Sequence, residues 1–188
     1  MIGYPSKVLV LADYPNPHFT ENIPYKIDFV LSCGDVEFTI LKEIYERFKK
    51  PIFAVKGNHD TTKRFPDFVN DVHLKFFQHR NWIIGGFEGT PTYKGSGAYE
   101  WDDLSAAEKL SKFPYVDIFI CHAPILKFTD KDDYAHKGSE ALLRYIEAKQ
   151  PKYVYHGHVH SELGAMVGQT AVVSVYGVRV FILTYDAF

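Results

Sequence analysis

Five apolar segments of the chain lead directly into residues that can bind a metal ion or move a proton. Lys7 to Ala12 ends at Asp13, and Asp28 to Ser32 leads to Gly34-Asp35. Ile52 to Val55 leads to Gly57-Asn58-His59-Asp60, Val116 to Cys121 ends at His122, and Tyr153 to Tyr155 enters His156-Gly157-His158-Val159-His160. In layered α/β proteins, ligands bind just beyond the carboxyl ends of the strands, so these endings are expected to meet at one rim. Carboxylate and amide oxygens mixed with imidazole nitrogens suit manganese, iron, zinc or nickel. They suit calcium or a thiolate-selective metal less well. The residue types single out no one of the four.

The formal net charge is −2 and the pI is near 6.5, so no basic surface is expected to neutralise a phosphate-bearing ligand. Two close divalent ions would supply that charge locally, activate a water and clamp the attacking and leaving oxygens of a displacement at phosphorus. One carboxylate must then lie between the ions. Asp35 is the best candidate, because Gly34 before it lets the backbone turn sharply and the carboxylate project past the strand end.

The elements that must hold these side chains are visible as short Val-, Ile-, Leu-, Phe- and Tyr-rich runs, namely the five above and Trp82 to Phe87. Glu37 to Lys49 places Ile40, Leu41, Ile44, Tyr45 and Phe48 on one helical face, and Gly138 to Lys149 does the same with Leu142, Leu143 and Ile146. Strand and helix alternate, which predicts a layered α/β architecture. Leu163 to Val167, Ala171 to Val175 and Val178 to Thr184 are expected to form a closing antiparallel meander. Gly89 to Asp102 is the one long irregular stretch, and its length suggests a functional loop.

With 188 residues and 46% hydrophobic content, the chain is expected to form a single domain over residues 1–188. It shows neither a secretory leader nor an apolar run long enough to span a bilayer, so a cytoplasmic protein without a membrane partner is expected. No nucleic-acid footprint is seen. Cys33 and Cys121 lie far apart in apolar segments and read as buried hydrophobes. Lys94-Gly95-Ser96 has the wrong order for a phosphate-binding P-loop.

Gly34-Asp35, Gly57-Asn58-His59-Asp60, His122 and Gly157-His158-x-His160, in that order across nearly the whole chain, resemble the signature of the calcineurin-like metallophosphoesterases. The resemblance implies a four-layer α/β/β/α sandwich of two mixed β-sheets flanked by helices. It also implies one or two divalent transition-metal ions. By analogy, Asp13, Asp35 and His160 would hold one ion, while Asp35, Asn58, His122 and His158 would hold the other. His59 resembles the family's catalytic histidine, which stabilises phosphoryl oxygens and protonates the leaving alkoxide, with Asp60 holding its ring. The implied activity is metal-dependent hydrolysis of phosphodiesters or small phosphomonoesters, a nucleotide being one candidate substrate.

The chain departs from that pattern at its opening motif. The family's Asp-x-His reads Asp13-Tyr14-Pro15 here, and Phe38 stands where purple acid phosphatases place a ligating Tyr. His18, Tyr14 or water are the alternatives for the lost ligand, and the first site is expected to bind its ion more weakly than the second. For Asp13 the competing reading is a loop cap. His156 is expected to pack or to support its neighbours, and His73, His79 and His136 have no assigned role. Tyr93, Tyr99 and Trp101 would either stack on a substrate base or pack on the domain, and the acidic stretch Asp130 to Asp133 could border the pocket. Loss of the His at Pro15 also leaves a second function open, a degenerate member of the fold that binds proteins. Retention of His59 ranks it second. A DNA nuclease of the same superfamily would need extra segments for which 188 residues leave no room.

Overall fold

The computed structural model describes residues 5–13, 26–93, 95 and 97–185; Tyr14, Pro15, His18, Lys94 and Ser96 lie outside them. In chain order the elements are β1 (Ser6–Ala12), β2 (Phe29–Cys33), α1 (Phe38–Phe48), β3 (Ile52–Val55), β4 (Val69–Asp71), β5 (Phe76–His79) and β6 (Trp82–Phe87). Two short strands follow, β7 (Thr90–Pro91) and β8 (Glu100–Trp101), and then α2 (Asp103–Lys112), β9 (Ile118–Cys121), α3 (Glu140–Lys149) and β10 (Tyr153–His156). The last three are β11 (Leu163–Val167), β12 (Thr170–Ser174) and β13 (Gly177–Leu183).

Two large mixed sheets carry the architecture, one ordered β13-β1-β2-β3-β4 and the other β11-β12-β10-β9-β6-β5. The side-chain alternation of a strand explains the layering. Val8, Val10, Phe29, Leu31 and Phe53 meet Ile84, Ile118, Ile120 and Tyr155 between the sheets. Their neighbours Leu9, Leu11, Val30 and Ile52 face the other way and bury the Ile40, Leu41 and Ile44 stripe of α1. On the far side, Phe119, Cys121 and Val154 pack beneath Leu110 of α2 and Leu142, Tyr145 and Ile146 of α3. The four layers expected from the resemblance are present. A fully buried Leu or Ile in such a core contributes about 1.5–3 kcal/mol, so these three clusters dominate the stability.

Helix ends follow local chemistry. Ser139 caps α3 by accepting a hydrogen bond from Leu142 N at 3.1 Å, and Asp102 caps α2 from Ser105 N at 2.9 Å. The C-terminal strands depart from the expected meander. β11 and β12 do form an antiparallel hairpin, but β12 runs parallel to β10. β13 leaves for the other sheet, where it pairs antiparallel with the whole of β1, from Ser6↔Leu183 to Ala12↔Gly177. Gly177, with φ of 75°, makes the turn that redirects the chain. Pairing there covers what would otherwise be an exposed edge of β1. Gly89 to Asp102 is not wholly irregular either, since β7 and β8 pair within it. Among the described residues, no helix is long and apolar enough to cross a membrane.

Candidate metal centre

β1, β2 and β3 run parallel in one sheet, and β6, β9 and β10 run parallel in the other. Contacts between their carboxyl ends show that both sets finish at the same rim. His122 Nδ1 lies 2.8 Å from Cys33 O at the end of β2, and His158 N donates to Asp13 Oδ2 at 2.6 Å.

The first of these contacts decides the chemistry of His122. A carbonyl oxygen only accepts, so Nδ1 carries a proton and donates it. Nε2 then faces three oxygens: Asn58 Oδ1 at 3.0 Å, Asp35 Oδ2 at 3.3 Å and Asp13 Oδ1 at 3.9 Å. A neutral imidazole would aim its lone pair at these oxygens, which are themselves negative. The point demands a cation. Burial by itself would lower the affinity of His122 for a proton, but the Asp35 hydrogen bond and charge, with Asp13 and Cys33 O, overcome this and raise its pKa to about 9. That proton stands in for a cation at Nε2.

Asp13 Oδ1 points the same way. It is buried and makes no hydrogen bond among the described residues; the imidazole nitrogens His160 Nε2 and His122 Nε2 stand off at 3.6 and 3.9 Å. Burial pushes the Asp13 carboxyl above the usual carboxylate range, against the pull of His122 and of the His158 N–H. Burial acts on Asp35 in the same sense, yet the His122 ring and the His59 N–H hold it below that range. Asp13, Asp35 and His122 each offer a ligand atom within 4.8 Å of the other two, a group able to hold a metal ion. Asn58 adds an amide oxygen, and this mixture of hard oxygens and imidazole fits a divalent transition ion.

The backbone is forced into unusual conformations to make this arrangement. Nine non-glycine residues among those described have positive φ, and four of them are Asp13 (50°), Asp35 (55°), His158 (72°) and His160 (47°). Such residues cost about 1 kcal/mol or more each, and their concentration at one rim marks a site that packing holds under strain. Gly34 has φ of 95°, and a Cβ there would lie 2.7 Å from His122 Nδ1. Only glycine allows the three loops to approach this closely.

The other expected site residues are distributed unevenly. His158 packs its ring 5.1 Å from that of His122, and its Nε2 lies 2.7 Å from Ala135 O, which leaves Nδ1 with the lone pair. Burial lowers its pKa to about 3, so the ring is neutral. His160 reaches Asp13 but is 58% exposed. His59 is exposed and lines a groove of about 530 Å³ together with Asp35, Phe38, Thr61 and Lys63. Asp60 differs from the expectation. Its Oδ2 accepts from Gly57 N and Asp35 N, both at 2.8 Å, and no hydrogen bond joins it to the His59 ring among the described residues. Two inward-pointing N–H groups are stronger claimants for a buried carboxylate than an exposed ring, so Asp60 braces the two motif loops against each other.

Several residues at the rim have parts that sequence reasoning did not assign. Lys56, 4% exposed, donates to Thr61 O and Lys63 O beneath the loop that carries Asn58 and His59. The rings of Phe38, Phe65 and Tyr99 surround its ammonium at 5.1–5.3 Å. A lysine ending an apolar strand just before Gly57 was the available signal. Tyr93 OH accepts from Asn58 Nδ2 at 2.8 Å, which turns the amide oxygen toward His122. Tyr99 and Trp101 pack, the former on Lys56 and the latter 5.3 Å from Phe87. His156 is buried behind Gly157, with its pKa lowered to about 4 by burial. His79 wedges between Phe29 and Phe53, and Cys33 and Cys121 are free and buried.

The sequence model of the calcineurin-like phosphoesterase family matches residues 9–162. The chain belongs to the calcineurin-like phosphoesterase family. No curated protein matches the sequence significantly. Among solved structures, TT1561 of Thermus thermophilus is 14% identical with a TM-score of 0.58, over 96% of this chain and 99% of that one. GAP50 of Plasmodium, described as the anchor in the inner membrane complex, is 12% identical with a TM-score of 0.53, over 93% of this chain and 72% of that one. A putative 5'-nucleotidase from Staphylococcus aureus is 14% identical with a TM-score of 0.52, over 96% of this chain and 51% of that one. At these identities the likeness is one of fold. The family is generally one of metal-dependent phosphoesterases.

Proposed function

We propose that this family member is a metal-dependent hydrolase of phosphodiesters or small phosphomonoesters, with Asp13, Asp35, Asn58, His122, His158 and His160 as its ligand residues. The observation that carries this reading is His122 Nε2 facing Asn58 Oδ1, Asp35 Oδ2 and Asp13 Oδ1 at 3.0–3.9 Å, with its other nitrogen tied to Cys33 O. A divalent ion of manganese, iron, zinc or nickel held there would supply positive charge to the phosphoryl oxygens and acidify a water.

The chain's own residues do the rest. The His59 N–H anchors Asp35 Oδ1 at 2.9 Å, which fixes where the His59 side chain leaves the rim. Its exposed ring opens on the groove beside Asp35, placed to donate a proton to a departing alkoxide. Phe38, Thr61 and Lys63 line the same groove and give the leaving group an aromatic surface, a hydroxyl and a cation. A nucleotide suits that mixture, and the fold shared with a putative 5'-nucleotidase is in keeping with it. Asp60 acts indirectly, by holding the Asp35 and Gly57 loops together.

Hydrolysis of a chromogenic phosphodiester in the presence of each metal tests the reading. Activity is expected with at least one ion and is expected to fall at least 100-fold in His59→Ala and Asp35→Ala. A second reading, a protein-binding scaffold, is favoured by Pro15 in the place of the family histidine, and the GAP50 anchor shares the fold. Wild-type protein inactive with every metal, but unfolding at higher temperature when metal is added, would select it.

A further inference from the structure

Between β9 and α3 the chain makes a loop whose His136 has no place in the ligand set above. Three contacts tie this loop to the rim: Lys131 Nζ donates to Val159 O, His158 Nε2 lies 2.7 Å from Ala135 O, and the His136 ring packs on His158. We propose that His136, oriented by Asp133, is an additional metal-ligating residue, contributed by this loop in place of the imidazole that Asp13-Tyr14-Pro15 lacks. The inference rests on the reading of the rim as a metal centre.

Two observations support it. First, His136 Nδ1 lies 2.9 Å from both Asp133 oxygens, so it donates its proton to a carboxylate and leaves Nε2 with the lone pair. Metal-bound histidines are typically held this way, because a carboxylate behind the ring fixes its tautomer and strengthens it as a ligand. Second, the ring is part of a cluster. Its centre is 5.1 Å from that of His158 and 6.2 Å from that of His160, and His158 in turn is 5.1 Å from His122. Imidazoles that share one ion at about 2.1 Å place their ring centres about 5–6 Å apart. The His136 ring is thus within that spacing of His158 and just beyond it from His160, the expected ligand of the ion that lacks an imidazole. Its side chain is 28% exposed and that of His160 58%, so both rings have room to turn onto an ion.

A purely structural role has its own basis, since Asp133 Oδ1 also accepts from Ala135 N at 3.0 Å and His136 N at 2.9 Å. Asp133→Asn separates the two, because an amide oxygen keeps the turn but lacks the charge that strengthens the imidazole. The metal-free 188-residue chain is titrated with Zn²⁺ by calorimetry, and ring-nitrogen resonances are followed in ¹⁵N-histidine-labelled protein. Wild type is expected to bind a tight and a weaker equivalent, with His136 Nε2 shifting as the weaker one fills. In His136→Ala the weaker affinity falls by about 100-fold, and in Asp133→Asn by about tenfold, without loss of the tight equivalent. His79→Asn, at the opposite end of the sheet, serves as the control and titrates as wild type. The proposal is overturned if His136→Ala binds both equivalents as wild type does, or if the His136 resonance does not move. If wild type takes up no ion, the reading of the rim fails and this inference with it.

Discussion

Replacing Lys56 by methionine, which keeps most of the apolar stem and removes the ammonium, tests whether a buried cation holds up the loop that follows β3. Lys56 gives two charge-assisted hydrogen bonds, to Thr61 O and Lys63 O, and such bonds contribute about 1.5–3 kcal/mol each. Contact with three rings adds about 0.5–1 kcal/mol each. Against this stands the cost of taking an ammonium out of water, several kcal/mol at 4% exposure. Thr61 and Lys63 are exposed, so water can reach their carbonyls once the lysine is gone, and little further penalty arises there. The balance is a loss of about 2–3 kcal/mol. For a chain of this size that lowers the midpoint of thermal unfolding by about 5–10 °C. Urea denaturation of metal-free protein measures the free energy directly, with the denaturant slope unchanged. Because the loop also carries Asn58 and His59, turnover should fall more than binding of the tight ion. A Lys56→Met protein within 1 kcal/mol of wild type and with normal turnover would refute the reasoning.

Other perturbations follow from the same geometry. A Cβ at Gly57 would lie 2.2 Å from Asp35 Oδ1, so Gly57→Ala must push that carboxylate off His122; calorimetry should show at least tenfold weaker metal binding, with stability lower by about 1–3 kcal/mol. Tyr93→Phe removes the hydroxyl that orients Asn58 but keeps the ring against His158, so metal affinity should drop about tenfold while the metal-free protein loses about 1 kcal/mol at most. Burial, with repulsion from Asp71, raises the Glu88 pKa to about 7. A carboxyl raised in the folded state contributes stability that is complete below its ordinary value of about 4.5 and is lost as pH climbs through 7. Relative to wild type, Glu88→Gln should therefore gain about 1–3 kcal/mol between pH 4.5 and 8, and parallel denaturation curves across that range would contradict the assignment.

Much of the fold was legible because its signals are local. Strand runs such as Ile52–Val55 are continuous and apolar, and α1 and α3 carry full helical stripes. α2 was not visible because it buries only Ala106 and Leu110 and leaves Leu104 83% exposed, so its pattern lacks a stripe. β4 and β5 are short edge strands, β4 with one buried side chain of three and β5 with none of four. The crossing of β13 to the other sheet is a choice of partner far along the chain, and alternation within a strand does not encode which edge it joins. At the rim the same division holds. The residues that end strands could be read off, since chain order alone puts them at one end of a sheet. Asp60 was assigned to a ring and is found on two backbone N–H groups, because motif spacing does not say which donors a carboxylate will meet. Lys56, Tyr93 and His136 make their contacts across the gaps between loops, and only the packed molecule brings those together.

The junction of β1 with β13 also has a bearing on biosynthesis. Asp13 follows directly on the strand whose edge is closed by Gly177–Leu183, and its carboxylate is gripped by the His158 N–H. A ribosome exposes β1 long before either of those segments exists, so Asp13 spends most of translation with nothing to hold it. If Asp13 holds an ion as proposed, that ion is captured only after both segments have been made. Contacts between segments so distant in sequence are slow to form, so the closing of β13 on β1 and of the His158 loop on Asp13 is expected late in folding.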